Sequence, residues 1–327
     1  MDAKQMDGLF PPLGLGTAPL GGLFSPVPGD QACAVIDAAW ERGIRFFDTA
    51  PLYGHGASER RLGEVLRGRP RDDFVLATKV GRLLRRPAEP APEDAYYKDT
   101  PPERPVFDLS HDGVMRSFEE SLARLGLDRV DILHIHDPDA HEAEAISGAL
   151  RALARLRAEG SIRAVGAGMN QWQMLARFAE AGAFDCFLLA GRYTLLDQSA
   201  LPVLLPLCAR RGIRIVAGGV YNSGLLADPR PGAKFNYDDA PAELVARARR
   251  LEAACRNHGV PLRAAAVQFP RFHDAVSTVL AGARSVAELD DTLAMARVAI
   301  PATLWDELRA GGLLPVDAPT QGRGAIA

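Results

Sequence analysis

The chain has 327 residues, with 38 Lys and Arg against 41 Asp and Glu, which gives a formal net charge of −3. Hydrophobic residues make up 47% and charged residues 24% of it, a composition that excludes a disordered chain. The four cysteines are widely spaced and form no Cys-x-x-Cys pair, so the sequence predicts neither a disulfide scaffold nor a zinc ribbon and favours a cytoplasmic location. The near-neutral charge predicts no nucleic-acid partner, and the absence of a ~18-residue apolar run predicts no membrane span.

Short apolar runs rich in β-branched and aromatic residues alternate with helical patterns along the chain. The predicted strands are 13–17, 45–48, 74–80, 130–136, 162–166, 184–189, 213–217 and 277–280. The amphipathic helical patterns between them are 30–42, 112–125, 141–159, 172–181, 199–211 and 243–257. Eight such units, without a break in composition, favour a single α/β domain over residues 1–327, folded as a closed (β/α)8 TIM barrel rather than an open sheet.

Three segments are too long and too polar to be simple connections. They are 82–110, 221–241 and the C-terminal tail 313–327. The first two follow predicted strands three and seven, on the face of a barrel where active sites lie. We expect them to border a functional site, although mobile surface loops remain the alternative.

Four polar residues stand at or just after the ends of three consecutive predicted strands: Asp48, Tyr53, Lys79 and His136. A buried ammonium is costly unless it is paired, and Asp48 is the obvious partner of Lys79. A nearby lysine cation is expected to lower the pKa of a phenol, which is ordinarily ~10. A histidine can donate to a developing oxyanion. The combination favours metal-free proton transfer to a carbonyl oxygen as hydride reaches carbon, whereas each residue alone has a structural interpretation.

These residues and their flanking segments resemble the aldo-keto reductase superfamily over nearly the whole chain. The resemblance is carried by residues 14–18, 43–54, 77–80, 125–136, 160–166 and 282–285. It implies that Tyr53 is the proton donor and acceptor, that Lys79 and Asp48 tune it, and that His136 orients the substrate. It also implies an extended nicotinamide dinucleotide, bound at the C-terminal face of the barrel.

Within the superfamily, residues 134–139, 190–197 and 218–226 resemble the branch of D-threo-aldose 1-dehydrogenases, which includes L-fucose dehydrogenases and pyridoxal 4-dehydrogenases. This implies oxidation of a sugar's anomeric carbon, or of an aldehyde in its hemiacetal form, to a lactone. Asp137 and Trp172 are then expected to line the substrate pocket beside Tyr53 and His136. A loop-capping aspartate and a helix-packing tryptophan are the alternatives.

The resemblance also implies cofactor contacts at the strand ends. The residues expected to make them are Gly16, Thr17, Asp48, Asn170, Arg192, Gly218, Gly219, Val220, Gly282, Ala283, Arg284 and Ser285. The chain departs from the family at Asn170, which lies one position late, and at Gly218, which replaces an aromatic residue that often stacks on nicotinamide. Glu288 stands where many NADPH-preferring members have a basic residue, which favours NAD, while Arg284 keeps NADP as the alternative.

Other functions remain open at the level of sequence. His134 and His136 share a strand face and suggest a metal-dependent barrel hydrolase, although the later strand ends supply no further ligands. A non-catalytic barrel subunit is a third hypothesis, and a pyridoxal 4-dehydrogenase or general aldehyde reductase is an alternative within the same chemistry. We expect a sugar or aldehyde as the partner, no metal, and a monomer or small homo-oligomer.

Overall fold

The structure is a computed structural model that describes residues 6–89 and 92–322, and within them eight parallel strands close into a barrel. The strands are β1 Leu13–Gly16, β2 Phe46–Asp48, β3 Val75–Val80, β4 Ile132–His136, β5 Ala164–Met169, β6 Cys186–Ala190, β7 Arg214–Gly218 and β8 Val276–Gly282. Each strand pairs with its neighbours in chain order, and β8 pairs with β1 to close the cylinder. The predicted barrel is therefore confirmed, and β5 extends beyond the predicted end at Gly166.

Helices surround the barrel. They are α1 Gly29–Glu41, α2 Ala57–Leu66, α3 His111–Leu125, α4 Leu150–Ala158, α5 Gln173–Ala181, α6 Leu204–Arg211, α7 Ala242–Asn257, α8 Leu262–Gln268, α9 Val286–Met295 and α10 Ala302–Ala310. The predicted helix 141–159 is divided, because a helical turn at Glu142–Glu144 and a π-helical segment at Ala145–Ala149 precede α4. α6 begins later than predicted, since turns occupy residues 200–203.

The core has two parts, as the alternation of side chains along a strand requires. A smaller cluster fills the barrel interior, including Phe46, Ile132 and Val216, and Leu9 and Phe10 join it from the segment before β1. A larger cluster lies between the strands and the helices. The barrel is therefore a packed core with a mouth at the carboxyl ends of its strands, and polar side chains at that mouth form the candidate site.

The long segments after β3 and β7 both fold into antiparallel hairpins. Arg82–Arg85 pairs with Arg104–Phe107, and Lys234–Phe235 pairs with Asp238–Asp239. The described part of the tail packs against the outer core through Leu313 and Leu314, whereas residues 323–327 lie outside the described residues. Across 6–89 and 92–322, no helix has the length and apolarity needed to cross a membrane.

Candidate active site

A buried ion pair lies at the centre of the barrel mouth. Asp48 ends β2 and Lys79 lies near the end of β3, and their side chains are only 2% and 1% exposed. The Lys79 ammonium donates to Asp48 Oδ1 at 2.6 Å and to the Thr49 carbonyl oxygen at 2.9 Å. Burial raises the pKa of Asp48, and the adjacent ammonium opposes that rise. The expected partner of the buried lysine is therefore in place.

Tyr53 is held at the same mouth by a close approach of two backbone turns. Tyr53 lies between β2 and α2, and Gly54 packs against Gly21 of the short helical turn Pro19–Gly21. A Cβ on Gly54 would lie 2.2 Å from the Gly21 carbonyl oxygen, and a Cβ on Gly21 would lie 2.7 Å from the Tyr53 carbonyl carbon. Only glycine at both positions permits this contact, which fixes the position of the phenol.

The phenol ring of Tyr53 lies close to both the ion pair and His136. The Lys79 ammonium is 4.7 Å from the centroid of the Tyr53 ring. The Tyr53 and His136 ring centroids are 5.8 Å apart, and their planes meet at 88°. All four residues singled out by the sequence therefore converge on one site, although three different strands and one loop supply them.

The prediction that Lys79 lowers the pKa of the Tyr53 phenol is wrong for the protein without cofactor. Burial, and after it the negative charge of Asp48, raises the pKa of Tyr53 well above its ordinary value. The reason is that burial disfavours the charged phenolate more strongly than the Lys79 cation, which faces a carboxylate at 2.6 Å, can stabilise it. Tyr53 is therefore a protonated phenol at neutral pH.

His136 is a neutral imidazole in this setting. Burial, followed by the charge of Lys79, lowers its pKa well below the ordinary value. Its Nε2 lies 3.4 Å from Asp137 Oδ2, and its Nδ1 is buried without a hydrogen-bond partner among the described residues. Asp137, expected to shape the substrate pocket, thus lies directly beside the catalytic candidates. The structure brings these two predicted substrate residues together.

Trp172 is placed differently. It is the residue just before α5, and it is half-buried against the core outside the barrel. Part of its role is therefore helix packing, which was the alternative interpretation. A contact between Trp172 and substrate stays a prediction.

The strand ends fit an extended dinucleotide because several of them carry little or no side chain. Gly16 lies opposite both Asp48 and Gly282 in the ladders of β1, and Ala190 lies opposite Gly218. A Cβ on Gly218 would come within 3.3 Å of the Leu188 side chain. Asp48 Oδ2 is also buried without a partner in the described chain. The mouth therefore combines closely packed small residues with a buried carboxylate oxygen that has no partner in the described chain, which suits a ligand that brings a hydrogen-bond donor.

Two predicted cofactor residues use their side chains elsewhere. Thr17 is fully buried; its hydroxyl donates to the Asp48 carbonyl oxygen at 2.8 Å and accepts from the Ser58 hydroxyl at 2.6 Å. The Val220 side chain is 1% exposed and belongs to the outer core. The Thr17 side chain therefore helps to position Asp48, and a contact of Thr17 or Val220 with a cofactor stays a prediction.

Asn170 and Arg192 both contact the hairpin that follows β7. Burial raises the pKa of the Tyr237 phenol and the Asn170 side chain opposes that rise, while Arg192 Nη1 donates to Asn236 Oδ1 at 2.9 Å. Tyr237 itself lies 5.5 Å from the Tyr96 ring, centroid to centroid. The two residues therefore tie this hairpin to the barrel mouth, and their contact with a cofactor stays a prediction.

The segment after β8 forms the N-terminus of α9. The Ser285 hydroxyl accepts from the backbone N–H of Glu288 at 3.2 Å, which caps the helix. Glu288 Oε2 accepts from the backbone N–H of Arg284 at 2.8 Å, and its Oε1 lies 3.5 Å from the guanidinium of Arg284. Ala283 is buried, and Gly282 is exposed. The Glu288 carboxylate therefore already accepts from one backbone N–H at this helix end, where a phosphate can also bind.

His134 lies deeper in the barrel. It is fully buried, burial lowers its pKa to about 3, and a Cβ on Gly166 would lie 2.3 Å from its Nδ1. In residues 6–89 and 92–322, no group of three or more His, Cys, Asp or Glu side chains is placed to hold a metal ion. His134 is thus packed against strand β5 rather than turned to the mouth.

Tyr97, Arg82 and Tyr237 also lie at the site, although the sequence did not predict them there. The Tyr97 ring lies 6.2 Å from that of Tyr53, and its backbone N–H donates to Asp94 Oδ1 at 2.7 Å. Asp94 also contacts His55, two residues after Tyr53, so the two loops are linked. The available signals were adjacent tyrosines in a polar segment and an arginine directly after a strand.

Comparisons with known proteins agree with this geometry. The model of the Aldo/keto reductase family matches residues 12–310. A pyridoxal 4-dehydrogenase of Microbacterium luteolum is 46% identical, covering 92% of this chain and 94% of that protein. A D-threo-aldose 1-dehydrogenase of a Pseudomonas species is 44% identical, covering 94% and 95%. The holo form of an aldo-keto reductase from Bacillus halodurans superposes with a TM-score of 0.73 at 25% identity, covering 95% and 94%.

These matches overturn two of the hypotheses left open by the sequence, the metal-dependent hydrolase and the non-catalytic barrel subunit. Both curated relatives are named as dehydrogenases and extend over nearly the whole chain. The protein belongs to the aldo/keto reductase family and is an NAD(P)-dependent oxidoreductase.

Proposed function

We propose that the protein oxidises the anomeric carbon of an aldose to a lactone, with NAD⁺ as the preferred hydride acceptor. The observation that carries this proposal is the cluster at the barrel mouth, in which the Lys79 ammonium lies 2.6 Å from Asp48 and 4.7 Å from the Tyr53 ring centroid. A phenol, a buried cation and a neutral imidazole at one site suit the movement of a proton on oxygen while hydride moves on carbon.

When bound, the oxidised nicotinamide supplies the hydride acceptor and one positive charge. Asn170, Arg192, the backbone of 218–220 and the segment 282–285 would hold the dinucleotide. Tyr53 takes the proton of the anomeric hydroxyl, and the imidazole of His136 donates to the substrate oxygen. Lys79, held by Asp48, stabilises the phenolate that forms.

The raised pKa of Tyr53 favours its protonated form, which is ready to donate to a carbonyl oxygen in the reductive direction. In the oxidative direction the phenol must release that proton before it can accept another. We therefore expect the rate of aldose oxidation to rise with pH and the rate of carbonyl reduction to stay flat over the same range.

The preference for NAD rests on Glu288. Its carboxylate accepts from the Arg284 backbone and pairs with the Arg284 guanidinium. A 2′-phosphate near this helix end would meet a carboxylate and a cation whose charge is already balanced. The dinucleotide without that phosphate is the better match, and NADP remains the alternative.

The substrate assignment draws on the names of the relatives. One relative is named for D-threo-aldoses and one for pyridoxal, so the hemiacetal form of pyridoxal is the second candidate. A general aldehyde reductase is the third. The cytoplasmic location and the monomeric or small homo-oligomeric state stay predictions.

A direct assay tests the proposal. Purified protein is supplied with a panel of aldoses, with pyridoxal and with aliphatic aldehydes, using NAD⁺, NADP⁺ and their reduced forms, and absorbance of the reduced nicotinamide is followed. We expect the highest kcat/KM for an aldose with NAD⁺. Turnover of pyridoxal alone would transfer the assignment to the second candidate, and turnover restricted to aliphatic aldehydes would contradict both.

A further inference from the structure

Arg82 stands at the barrel mouth with unused hydrogen-bonding capacity. It begins the hairpin directly after β3, where Gly81 has a φ of +99° and turns the chain. The guanidinium stacks on the Phe107 ring at 4.2 Å and its side chain is 16% exposed. Its Nε is buried and has no hydrogen-bond partner among the described residues. An unpaired buried polar group is costly, so a ligand oxygen that accepted from this donor would be bound favourably.

Asp137 connects this arginine to the reacting groups. Its Oδ2 lies 3.5 Å from Arg82 Nη2 and 3.4 Å from His136 Nε2, so one carboxylate faces both a cation and the imidazole. Both distances are longer than a good hydrogen bond, which leaves the carboxylate free to accept from a ligand. The backbone holds this position with a φ of +43° and a hydrogen bond of 3.0 Å to the Gly168 carbonyl oxygen.

We propose that Arg82 and Asp137 together bind a pair of neighbouring hydroxyl groups on the substrate, beside the carbon that reacts at Tyr53 and His136. The carboxylate accepts from two hydroxyls, and the guanidinium donates to the same oxygens. This inference rests on the proposed function and deepens it, since it assigns the residues that select a polyhydroxy substrate.

Charge and shape favour a neutral diol over an anionic group. An anion drawn to Arg82 would meet the Asp137 carboxylate at the same place, whereas a hydroxyl both donates and accepts and so satisfies both partners. The Tyr97 ring beside Tyr53 adds an apolar wall, as the C–H face of a pyranose requires. A site built to bond hydroxyls discriminates strongly against an analogue that lacks them.

The test compares two substrates in each of four proteins with the cofactor present. The variants are Arg82→Gln, Asp137→Asn and, as a matched control on the same hairpin, Arg85→Gln, whose guanidinium pairs with Glu120 instead. The substrates are the best aldose, in oxidation, and an aliphatic aldehyde without hydroxyls, in reduction. Circular dichroism and the unfolding midpoint check that each variant is folded.

We expect Arg82→Gln and Asp137→Asn to lower kcat/KM for the aldose by about 10- to 100-fold, mainly by raising KM. The aliphatic aldehyde should change by less than about threefold, and Arg85→Gln should match the wild type with both substrates. Equal losses with both substrates would show that the pair only positions His136, and unchanged aldose kinetics would show no role; either result overturns the inference while the proposed function stands. A wild-type protein that oxidises no aldose would overturn the proposed function as well.

Discussion

The ion pair between Asp48 and Lys79 gives the sharpest prediction about stability, because both side chains are almost fully buried. Replacement of Lys79 by Met removes the cation and leaves the Asp48 carboxylate buried without its partner. Loss of one member of a buried pair typically costs about 3–5 kcal/mol. A domain of this kind is stable by about 5–15 kcal/mol, so a large fraction of the free energy of unfolding is at stake.

The second change makes the prediction specific. Adding Asp48→Asn to Lys79→Met removes the unpaired charge, so most of the lost stability should return while turnover stays abolished. Burial raises the pKa of Asp48, so the single variant should also recover part of its stability as the pH falls and the carboxylate is protonated. The control is Lys234→Met, whose pair with Asp239 is exposed and should cost less than about 1 kcal/mol.

Urea unfolding followed by circular dichroism at pH 8 and pH 6 measures these differences. We expect the single variant to be less stable than the double variant at pH 8, with a smaller difference in the free energy of unfolding at pH 6. Single and double variants of equal stability at pH 8 would refute the reasoning, because the Asp48 carboxylate would then carry no penalty when unpaired.

Three further predictions concern the barrel interior, the glycine contact that holds Tyr53 and the choice of cofactor. Burial lowers the pKa of His134 to about 3, so between pH 3 and about 6.5 only the unfolded chain binds a proton there. The free energy of unfolding, measured by urea titration, should therefore fall by about 1.4 kcal/mol for each unit that the pH drops in this range. The variant His134→Asn should show a smaller dependence on pH. Gly21→Ala should lower kcat at least about tenfold by displacing Tyr53, whereas Gly29→Ala, which meets no atom within 4 Å, should not. Glu288→Gln should raise the ratio of kcat/KM for NADP⁺ over NAD⁺ by about tenfold, and an unchanged ratio would exclude this carboxylate from cofactor selection.

The barrel and the residues at its mouth could be predicted because both follow from the pattern of apolar and polar residues along short stretches of the chain. Apolar runs alternating with amphipathic helices define the strands, and the mouth collects whatever stands at their carboxyl ends. Asp48, Lys79 and His136 occupy such positions, so their convergence follows from the fold. Tyr53 was found through its spacing from Asp48, although the glycine contact that fixes it is visible only in three dimensions.

The loops and the electrostatics could not be predicted in the same way. Arg82, Tyr97 and Tyr237 reach the mouth through the conformations of long segments, which depend on contacts between residues far apart in the chain. The direction of the Tyr53 pKa depends on how much of the Lys79 charge is balanced and how deeply the phenol is buried, and neither quantity can be obtained from spacing.

The most direct test of the account replaces only the phenolic oxygen that is assigned to proton transfer. Tyr53→Phe keeps the ring against Lys79 and His136, and Tyr193→Phe makes the same change in a buried tyrosine that packs on Phe269. Cofactor binding is followed by fluorescence, and turnover of the best aldose by absorbance of reduced nicotinamide. We predict that Tyr53→Phe binds cofactor as the wild type does and that its turnover falls by at least about 100-fold. Tyr193→Phe should keep wild-type cofactor binding and turnover. Wild-type turnover in Tyr53→Phe would contradict the assignment of proton transfer to the Tyr53 phenol.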